Sequence, residues 1–212
     1  MQLYTYFRSS AAFRVRIALN LKGIASDATA ISLPKGAHRQ EDFGAINPQQ
    51  LVPALIDDGH LLTQSLSIIE YLEEKQPLPP LLPADPFGRA RVRSLALLVA
   101  CEIHPLNNLR ILQHLKRTLG QSEDQINAWY RHWVADGLAR FEAELKHTDG
   151  TGMYCHGDTP GMADCCLVPQ IFNAKRYECD LAPYPQTMRV FDACMEIEAF
   201  DRAQPSKQPD AE

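Results

Sequence analysis

The sequence predicts two domains, a small α/β domain followed by an all-α domain. Short β-type runs alternate with helical periodicity through residues 1–75, which is typical of a small α/β domain. Five prolines among residues 76–86 then exclude a helix interior and indicate a linker. Beyond the linker the apolar spacing is helical almost throughout. We therefore predict domains at residues 1–82 and 87–212.

The first domain is predicted to run β-α-β, then a β-hairpin, then a helix. Leu3–Tyr6 is rich in strand-forming residues, and Phe13–Leu21 has apolar residues at helical spacing. A second strand is predicted at Ala28–Leu33. Apolar runs on both sides of Asp58-Gly59 predict the hairpin, and Gln64–Glu74 has the pattern of an amphipathic helix.

Five helices are predicted in the second domain, all from apolar residues at helical spacing. They span Arg89–Cys101, Asn107–Leu119, Glu123–Leu145, Ala163–Arg176 and Met188–Ala199. The polar tail that follows, PSKQPDAE, is expected to be mobile.

Composition argues against several classes of protein. Of the 212 residues, 45% are hydrophobic, which is more than a disordered chain carries. The 21 basic and 26 acidic residues give a formal net charge of −5, and this balance argues against a nucleic-acid binder. No run of about 20 apolar residues predicts a membrane span. No secretory signal is evident either, so we expect a cytoplasmic protein.

The cysteines and histidines give no sign of a metal site. All six cysteines lie beyond residue 100 without a C-x-x-C pair, which argues against structural zinc or a dithiol redox motif. Several histidines likewise lack metal-ligand spacing, namely His60, His114, His132, His147 and His156. We expect reduced thiols and no bound metal.

Three positions on the first domain are candidates for chemistry. Arg8-Ser9-Ser10 lies where the first helix is predicted to begin, and a helix N-terminus stabilises an anion such as a thiolate. Val52-Pro53 opens the predicted hairpin, where proline marks a strand start or an edge. Gln64-Ser65 opens the next helix, which can hold a ligand carboxylate. Taken singly, each has a plainer structural interpretation. Ser9 and Ser65 are both natural N-caps, although Thr63 could compete with Ser65 for that role.

The three motifs together resemble the glutathione transferase superfamily, and within it the zeta class. The signature of that class is a serine pair followed by cysteine, a short spacer and R-V-R-I-A-L, and residues 9–19 read SSAAFRVRIAL. Further matching segments are NPQQLVPAL (47–55), QSLSIIEYLEE (64–74), IHPLNNLRIL (103–112), MADCCLVPQ (162–170) and DLAPYPQ (180–186). The match extends to QPD near the end of the sequence. The resemblance implies a thioredoxin-like N-terminal domain and an all-helical C-terminal domain.

The resemblance also implies a glutathione-dependent cis–trans isomerase. Zeta-class enzymes isomerise maleylacetoacetate, in tyrosine and homogentisate breakdown, and we expect this substrate first. Relatives acting on maleylpyruvate, in the gentisate route, are the alternative. Addition of the glutathione thiolate makes the double bond single, rotation follows, and the thiolate leaves. The class further implies a homodimer that binds a small dicarboxylate or keto acid.

The resemblance assigns site residues position by position. Ser9 is expected to hold and activate the glutathione sulfur, with Ser10 and Arg8 beside it. The residues implied in glutathione binding are His38, Gln49, Val52, Gln64, Ser65, His104 and Asn108. Arg8, Arg110 and Arg176 are expected to bind substrate carboxylates, a task that suits the guanidinium fork.

Two residues depart from the class pattern. Ala11 replaces the usual signature cysteine, and because Ser9 remains, activity is expected to survive. Gly161 replaces the usual Ser or Thr of a capping box, although Asp164 can still reach back to the cap N–H. Two other functions are open, a broader transferase acting on α-haloacids and a non-catalytic glutathione-binding scaffold. Scaffold relatives typically lose the serine or the Gln-Ser pair, both of which this sequence keeps.

Overall fold

The computed structural model describes all 212 residues, Met1–Glu212. Its backbone divides into two compact units, one made of residues 1–81 and 195–212 and the other of residues 82–194. The predicted division assigned residues 195–212 to the helical domain. In the structure they group with the first unit, because α9 (Glu198–Ala203) packs on α1 (Ser10–Leu21).

A four-stranded mixed sheet forms the centre of the first unit. The strands β1 (Gln2–Thr5), β2 (Asp27–Ala30), β3 (Ala54–Asp57) and β4 (His60–Thr63) lie in the order β2-β1-β3-β4. β1 runs parallel to β2 and antiparallel to β3, and β3 pairs with β4 through the predicted turn. Asp58 and Gly59 both have positive φ, 47° and 78°, as a tight hairpin turn requires.

The remaining helices of the first unit are α2 (Glu41–Ile46) and α3 (Ser65–Lys75). α3 and α9 both pack against α1, and Val15 and Ile17 of α1 are fully buried. The succession of strands and helices is that of a thioredoxin-like domain, as predicted. Two short helices, α2 and α9, were not anticipated, because six residues are too few to establish a helical period.

Helices make up the second unit. They are α4 (Pro86–Leu97), α5 (Leu109–Arg117), α6 (Glu123–His147), α7 (Met162–Arg176) and α8 (Pro185–Met195). A π-helical turn at Leu98–Ile103 and a 3-10 turn at His104–Asn107 connect α4 to α5. The predicted helix Met188–Ala199 is wrong at both ends. α8 begins at Pro185, a residue favoured in a first turn, and the backbone is extended at Ile197, before α9.

One helical stretch, Pro86–Arg117, is long and apolar enough to cross a membrane on length and composition alone. Its most apolar window has a mean hydropathy of 1.2, and 28% of that window is buried. Residues such as Arg93, Ser94 and Glu102 interrupt this stretch, so it is not a continuous run of about 20 apolar residues. A single such helix is weak evidence for a membrane span, because core helices of soluble proteins also reach it.

The start of α7 is fixed by Asp164. Its carboxylate accepts hydrogen bonds from the N–H of Gly161 at 2.8 Å and from that of Cys155 at 2.9 Å. Burial raises the pKa of Asp164, although these hydrogen bonds act in the opposite direction. The predicted interaction of Asp164 with the cap N–H is confirmed, so Asp164 serves the fold.

The buried carboxylate of Glu142, in α6, caps α8. It accepts hydrogen bonds from the N–H of Gln186 (3.1 Å) and from the N–H and hydroxyl of Thr187 (both 2.8 Å). Lys146 forms an ion pair with it at 2.9 Å. Burial raises the pKa of Glu142, but the hydrogen bonds together lower it by more, so the pKa lies below its ordinary value.

Replacing Glu142 with glutamine is expected to lower the free energy of unfolding at neutral pH by about 2 kcal/mol, because the neutral amide is a weaker acceptor for three donors. The lowered folded-state pKa means that the contribution of the carboxylate is present above the unfolded-state pKa of about 4.3. It is lost as the pH falls through the folded-state pKa. Urea unfolding at pH 7 and at pH 3.5 measures the difference, with exposed Glu144→Gln on the same helix as control. A difference that stays constant between the two pH values would contradict this account.

Candidate active site

Ser9 occupies the N-cap position of α1, where the chain leaves β1. Its Oγ accepts a hydrogen bond from the N–H of Ala12 at 3.2 Å, which confirms the predicted cap. Its own N–H donates to the carbonyl of Tyr6 at 2.9 Å and closes a turn. The side chain is half-buried, and because the cap uses only a lone pair, the hydroxyl proton can be donated to an anion.

Ser10 and Arg8 flank this cap differently. Ser10 is the first residue of α1 and is buried, 6% exposed. Arg8 is exposed, with its guanidinium 4.8 Å from the ring centre of Phe7. A helix N-terminus therefore lies beside the Ser9 hydroxyl and favours an anion there, and the preceding residue, Arg8, carries an exposed positive charge.

The N-terminus of α3 is built differently from the prediction. The helix starts at Ser65, so Gln64 holds the cap position and the prediction of Ser65 as N-cap is wrong. Gln64 has a φ of +66°, in a region that side chains other than glycine rarely adopt. Its side chain makes no cap hydrogen bond and donates instead to Oε1 of Gln49 at 2.8 Å. The first N–H groups of α3 therefore lack a side-chain cap and can bind an anion.

Arg14 supports this helix start from within the unit. It is 2% exposed, and its Nη1 donates to the Ser65 hydroxyl at 3.2 Å. The contact links α1, which Ser9 caps, to the start of α3. Arg14 is part of the class signature, but its role could not be predicted from the sequence because only the fold shows what it contacts.

Two further predicted residues lie near the ends of short elements. Val52 is buried, and its bond to Pro53 is cis. It lies before β3 and takes no part in the pairing of that strand. His38, in a 3-10 turn at Ala37–Arg39, has a buried Nδ1 without a hydrogen-bond partner. Burial, and then the charge of Arg39, lower the pKa of His38, so its imidazole is neutral at pH 7.

The helical unit carries the other predicted residues. Nδ2 of Asn108 lies 3.3 Å from Nε2 of His104, so these two are brought together. Asn108 also caps α5, with its Oδ1 accepting from the N–H of Arg110 at 3.1 Å. Arg176 ends α7, with its guanidinium 4.9 Å from the ring centre of Tyr177.

The three arginines assigned to substrate share one electrostatic property. Arg8, Arg110 and Arg176 are exposed, and none forms an ion pair with a carboxylate of the chain. By contrast, Arg131 pairs with Glu178 at 3.2 Å, and Arg140 of α6 pairs with a carboxylate one turn away at 2.8 Å. The three guanidinium groups therefore keep their charge available for an external anion.

Cysteines and potential metal ligands form no second site. All six cysteines are free thiols, and four of them are buried. No group of three or more histidine, cysteine, aspartate or glutamate side chains is arranged to hold a metal ion.

Comparison with known proteins places this geometry in a family. Residues 3–80 match the model of the glutathione S-transferase N-terminal domain. The maleylpyruvate isomerase of a Ralstonia species is 51% identical over the full length of both chains. A solved holo structure of maleylpyruvate isomerase, described as a bacterial zeta-class glutathione S-transferase, superposes with a TM-score of 0.98 at 50% identity, again over both whole chains. The chain belongs to the zeta class of glutathione transferases.

A second solved structure bears on the substrate of this class. The maleylacetoacetate isomerase of Methylobacterium extorquens AM1, solved with bound malonate and glutathione, has a TM-score of 0.97 and 43% identity over the whole of both chains. The two isomerase names thus occur among relatives of similar fold. The zeta-class assignment makes this chain a glutathione-dependent cis–trans isomerase and confirms the predicted family, fold class and enzyme class.

Proposed function

We propose that this zeta-class protein isomerises a maleyl keto acid to its trans isomer, with glutathione as a cofactor that is regenerated in each cycle. Ser9 carries this proposal. Its hydroxyl caps α1 with a lone pair and keeps its proton for an external anion, and the residue before it in the sequence is the exposed Arg8.

The residues present fit glutathione. The N–H groups at the start of α3, with Gln64 and Ser65, suit a carboxylate such as that of the γ-glutamyl group. Val52 is free of the sheet ladder and is proposed to pair its backbone with the cysteinyl part. His38, with an unpartnered Nδ1, and Gln49 are assigned to the glycine end. His104 and Asn108 are assigned to the cofactor as well.

Ser9 and the arginines divide the chemistry. Bound glutathione supplies the nucleophilic thiolate, and Ser9 stabilises it by donating its hydroxyl proton in a hydrogen bond, with Ser10 assisting. Arg8, Arg110 and Arg176 bind the carboxylates of the substrate and offset the negative charge that develops on it. Bound malonate in a relative is a dicarboxylate and supports this assignment. We further propose a cytoplasmic homodimer, as the class implies.

Two substrates share the maleyl end and differ in length beyond it. Maleylacetoacetate, in tyrosine and homogentisate breakdown, is the first candidate. Maleylpyruvate, of the gentisate route, is the second candidate. The 51% identity to a maleylpyruvate isomerase supports its inclusion.

Turnover of both substrates, with and without glutathione, tests the proposal. We expect conversion only with glutathione, and a preference of at least about tenfold in kcat/KM identifies the substrate. Arg110→Ala and Arg176→Ala should each lower kcat/KM by about 10- to 100-fold, the worth of a charge-assisted hydrogen bond. Arg140→Ala, at an arginine already paired within the chain, is the matched control. No conversion of either substrate would overturn the proposal and favour a transferase acting on α-haloacids.

A further inference from the structure

The turn that presents Ser9 is held by two charged residues outside the proposed site. This turn, residues 6–9, connects β1 to α1 and carries Arg8 and Ser9. Arg16 contacts it from α1, and Asp210 contacts it from the C-terminal segment. Both belong to the same compact unit as Ser9.

Arg16 binds the carbonyl groups of the turn. It is 6% exposed. Its Nη2 donates to the carbonyl of Phe7 at 3.1 Å, and its Nη1 donates to that of Tyr6 at 3.4 Å and to the hydroxyl of Thr5 at 3.0 Å. Its Nε donates to the carbonyl of Ala203, at the end of α9, at 3.1 Å. The guanidinium thus joins the turn to the C-terminal segment.

Asp210 binds the opposite polar group of Phe7. Its Oδ2 accepts the Phe7 N–H at 3.0 Å, across 203 residues of sequence. Both backbone polar groups of Phe7 therefore bond to a charged side chain, two residues before Ser9. Burial lowers the pKa of Arg16 to about 10, and the charge of Asp210 acts against that shift, so Arg16 remains charged at neutral pH.

The segment that carries Asp210 is anchored, and the expectation of a mobile tail is wrong. Residues Pro205–Lys207 form a 3-10 turn. The side chain of Gln208 donates to the carbonyls of Arg202 and Gln204, each at 2.9 Å. Polar side chains of this segment form hydrogen bonds within it and with Phe7, so a polar composition here is compatible with order.

We propose that Asp210 is a positioning residue for the isomerase. Together with Arg16 it fixes the turn 6–9, and so orients the Ser9 hydroxyl toward the glutathione sulfur and places Arg8. The proposal rests on the proposed role of Ser9. It extends the functional machinery to Asp210, a residue that is assigned to neither the glutathione site nor the substrate site.

Two Asp210 variants and one control test this role. Asp210→Ala removes the acceptor, and we expect kcat to fall about tenfold while KM for glutathione stays within about twofold. The pKa of the bound glutathione thiol, titrated by the ultraviolet absorbance of the thiolate, should rise by about half a unit or more. Asp210→Asn keeps an acceptor for the Phe7 N–H, so its kcat and its glutathione thiol pKa should both lie close to the wild-type values. Glu212→Ala, two residues further on, should leave all three values unchanged.

The readouts separate positioning from stability and from failure of the proposed function. The proposal is overturned if Asp210→Ala behaves like Glu212→Ala, or if its loss of kcat equals the loss of folded protein measured by thermal unfolding. A wild type that converts neither substrate contradicts the proposed function alone, because the thiol titration needs only glutathione and still decides the role of Asp210. A wild type that leaves the pKa of the glutathione thiol unchanged contradicts both.

Discussion

Replacing Ser9 with alanine is expected to lower kcat/KM about a hundredfold, with glutathione binding reduced only a few-fold. The hydroxyl donates one hydrogen bond to an ionised sulfur, and such a bond contributes about 1.5–3 kcal/mol, or roughly 10- to 150-fold in rate. Glutathione is also proposed to bind at α3 and at Val52, which the substitution leaves in place. The measurements are steady-state turnover of the maleyl substrates and direct titration with glutathione.

The second role of Ser9, as N-cap, has its own control. Loss of an N-cap costs about 1 kcal/mol of stability, so Ser9→Ala should also be slightly less stable. Ser122→Ala removes the same group from α6, where Ser122 accepts from the N–H of Gln125 at 3.3 Å. This variant should lose similar stability and keep full turnover. Unchanged turnover in Ser9→Ala would refute the assignment of Ser9 to the thiolate.

Local sequence patterns predicted those parts of the fold that depend on local interactions. The strands and the hairpin of the first unit follow from residue type and from Asp58-Gly59, and α6 follows from its long apolar period. The placement of residues 195–212 could not be predicted in this way. It depends on the packing of α9 against α1 and on the contact between Asp210 and Phe7, which are remote in sequence.

In the candidate site, too, features set by local sequence were predicted and features set by tertiary contacts were not. Ser9 and the Gln64-Ser65 pair were found because helix starts have recognisable residues. The start of α3 was misplaced by one residue because Gln64 adopts a positive φ, which its residue type does not favour. The structural roles of Arg14 and Arg16 were not predicted, because the sequence alone does not show whether an arginine side chain is buried or solvated. Only the structure shows that both side chains are buried.

A buried ion pair gives the largest stability effect we expect. Nζ of Lys22, at the end of α1, lies 2.8 Å from a carboxylate oxygen of Glu73 in α3, and their side chains are 0% and 8% exposed. Lys22 also donates to the carbonyls of Gln76 and Pro79, at 2.6 and 2.9 Å. Glu73 accepts the N–H of Leu81 at 2.9 Å. The pair therefore connects α1 and α3 to residues 76–81, which follow α3.

Removing either partner should leave a buried charge without its counterion. Glu73→Leu and Lys22→Met are each expected to lower the free energy of unfolding by about 3–5 kcal/mol, a large part of the 5–15 kcal/mol typical of a domain. The double variant should lose clearly less than the sum of the two, because it buries no lone charge, although the carbonyls of Gln76 and Pro79 still lose a donor. Urea unfolding of all four proteins gives the coupling energy.

The exposed pair Lys116–Glu123 supplies the matched comparison. Its atoms are also 2.8 Å apart, but its side chains are 62% and 69% exposed. The same double-mutant cycle there should give a coupling near zero, because water screens both charges and solvates either one left alone. Equal coupling in the two cycles would mean that burial does not set the strength of the Lys22–Glu73 pair. A large coupling at Lys22–Glu73 alone would identify desolvation as the reason that neither residue can be removed singly.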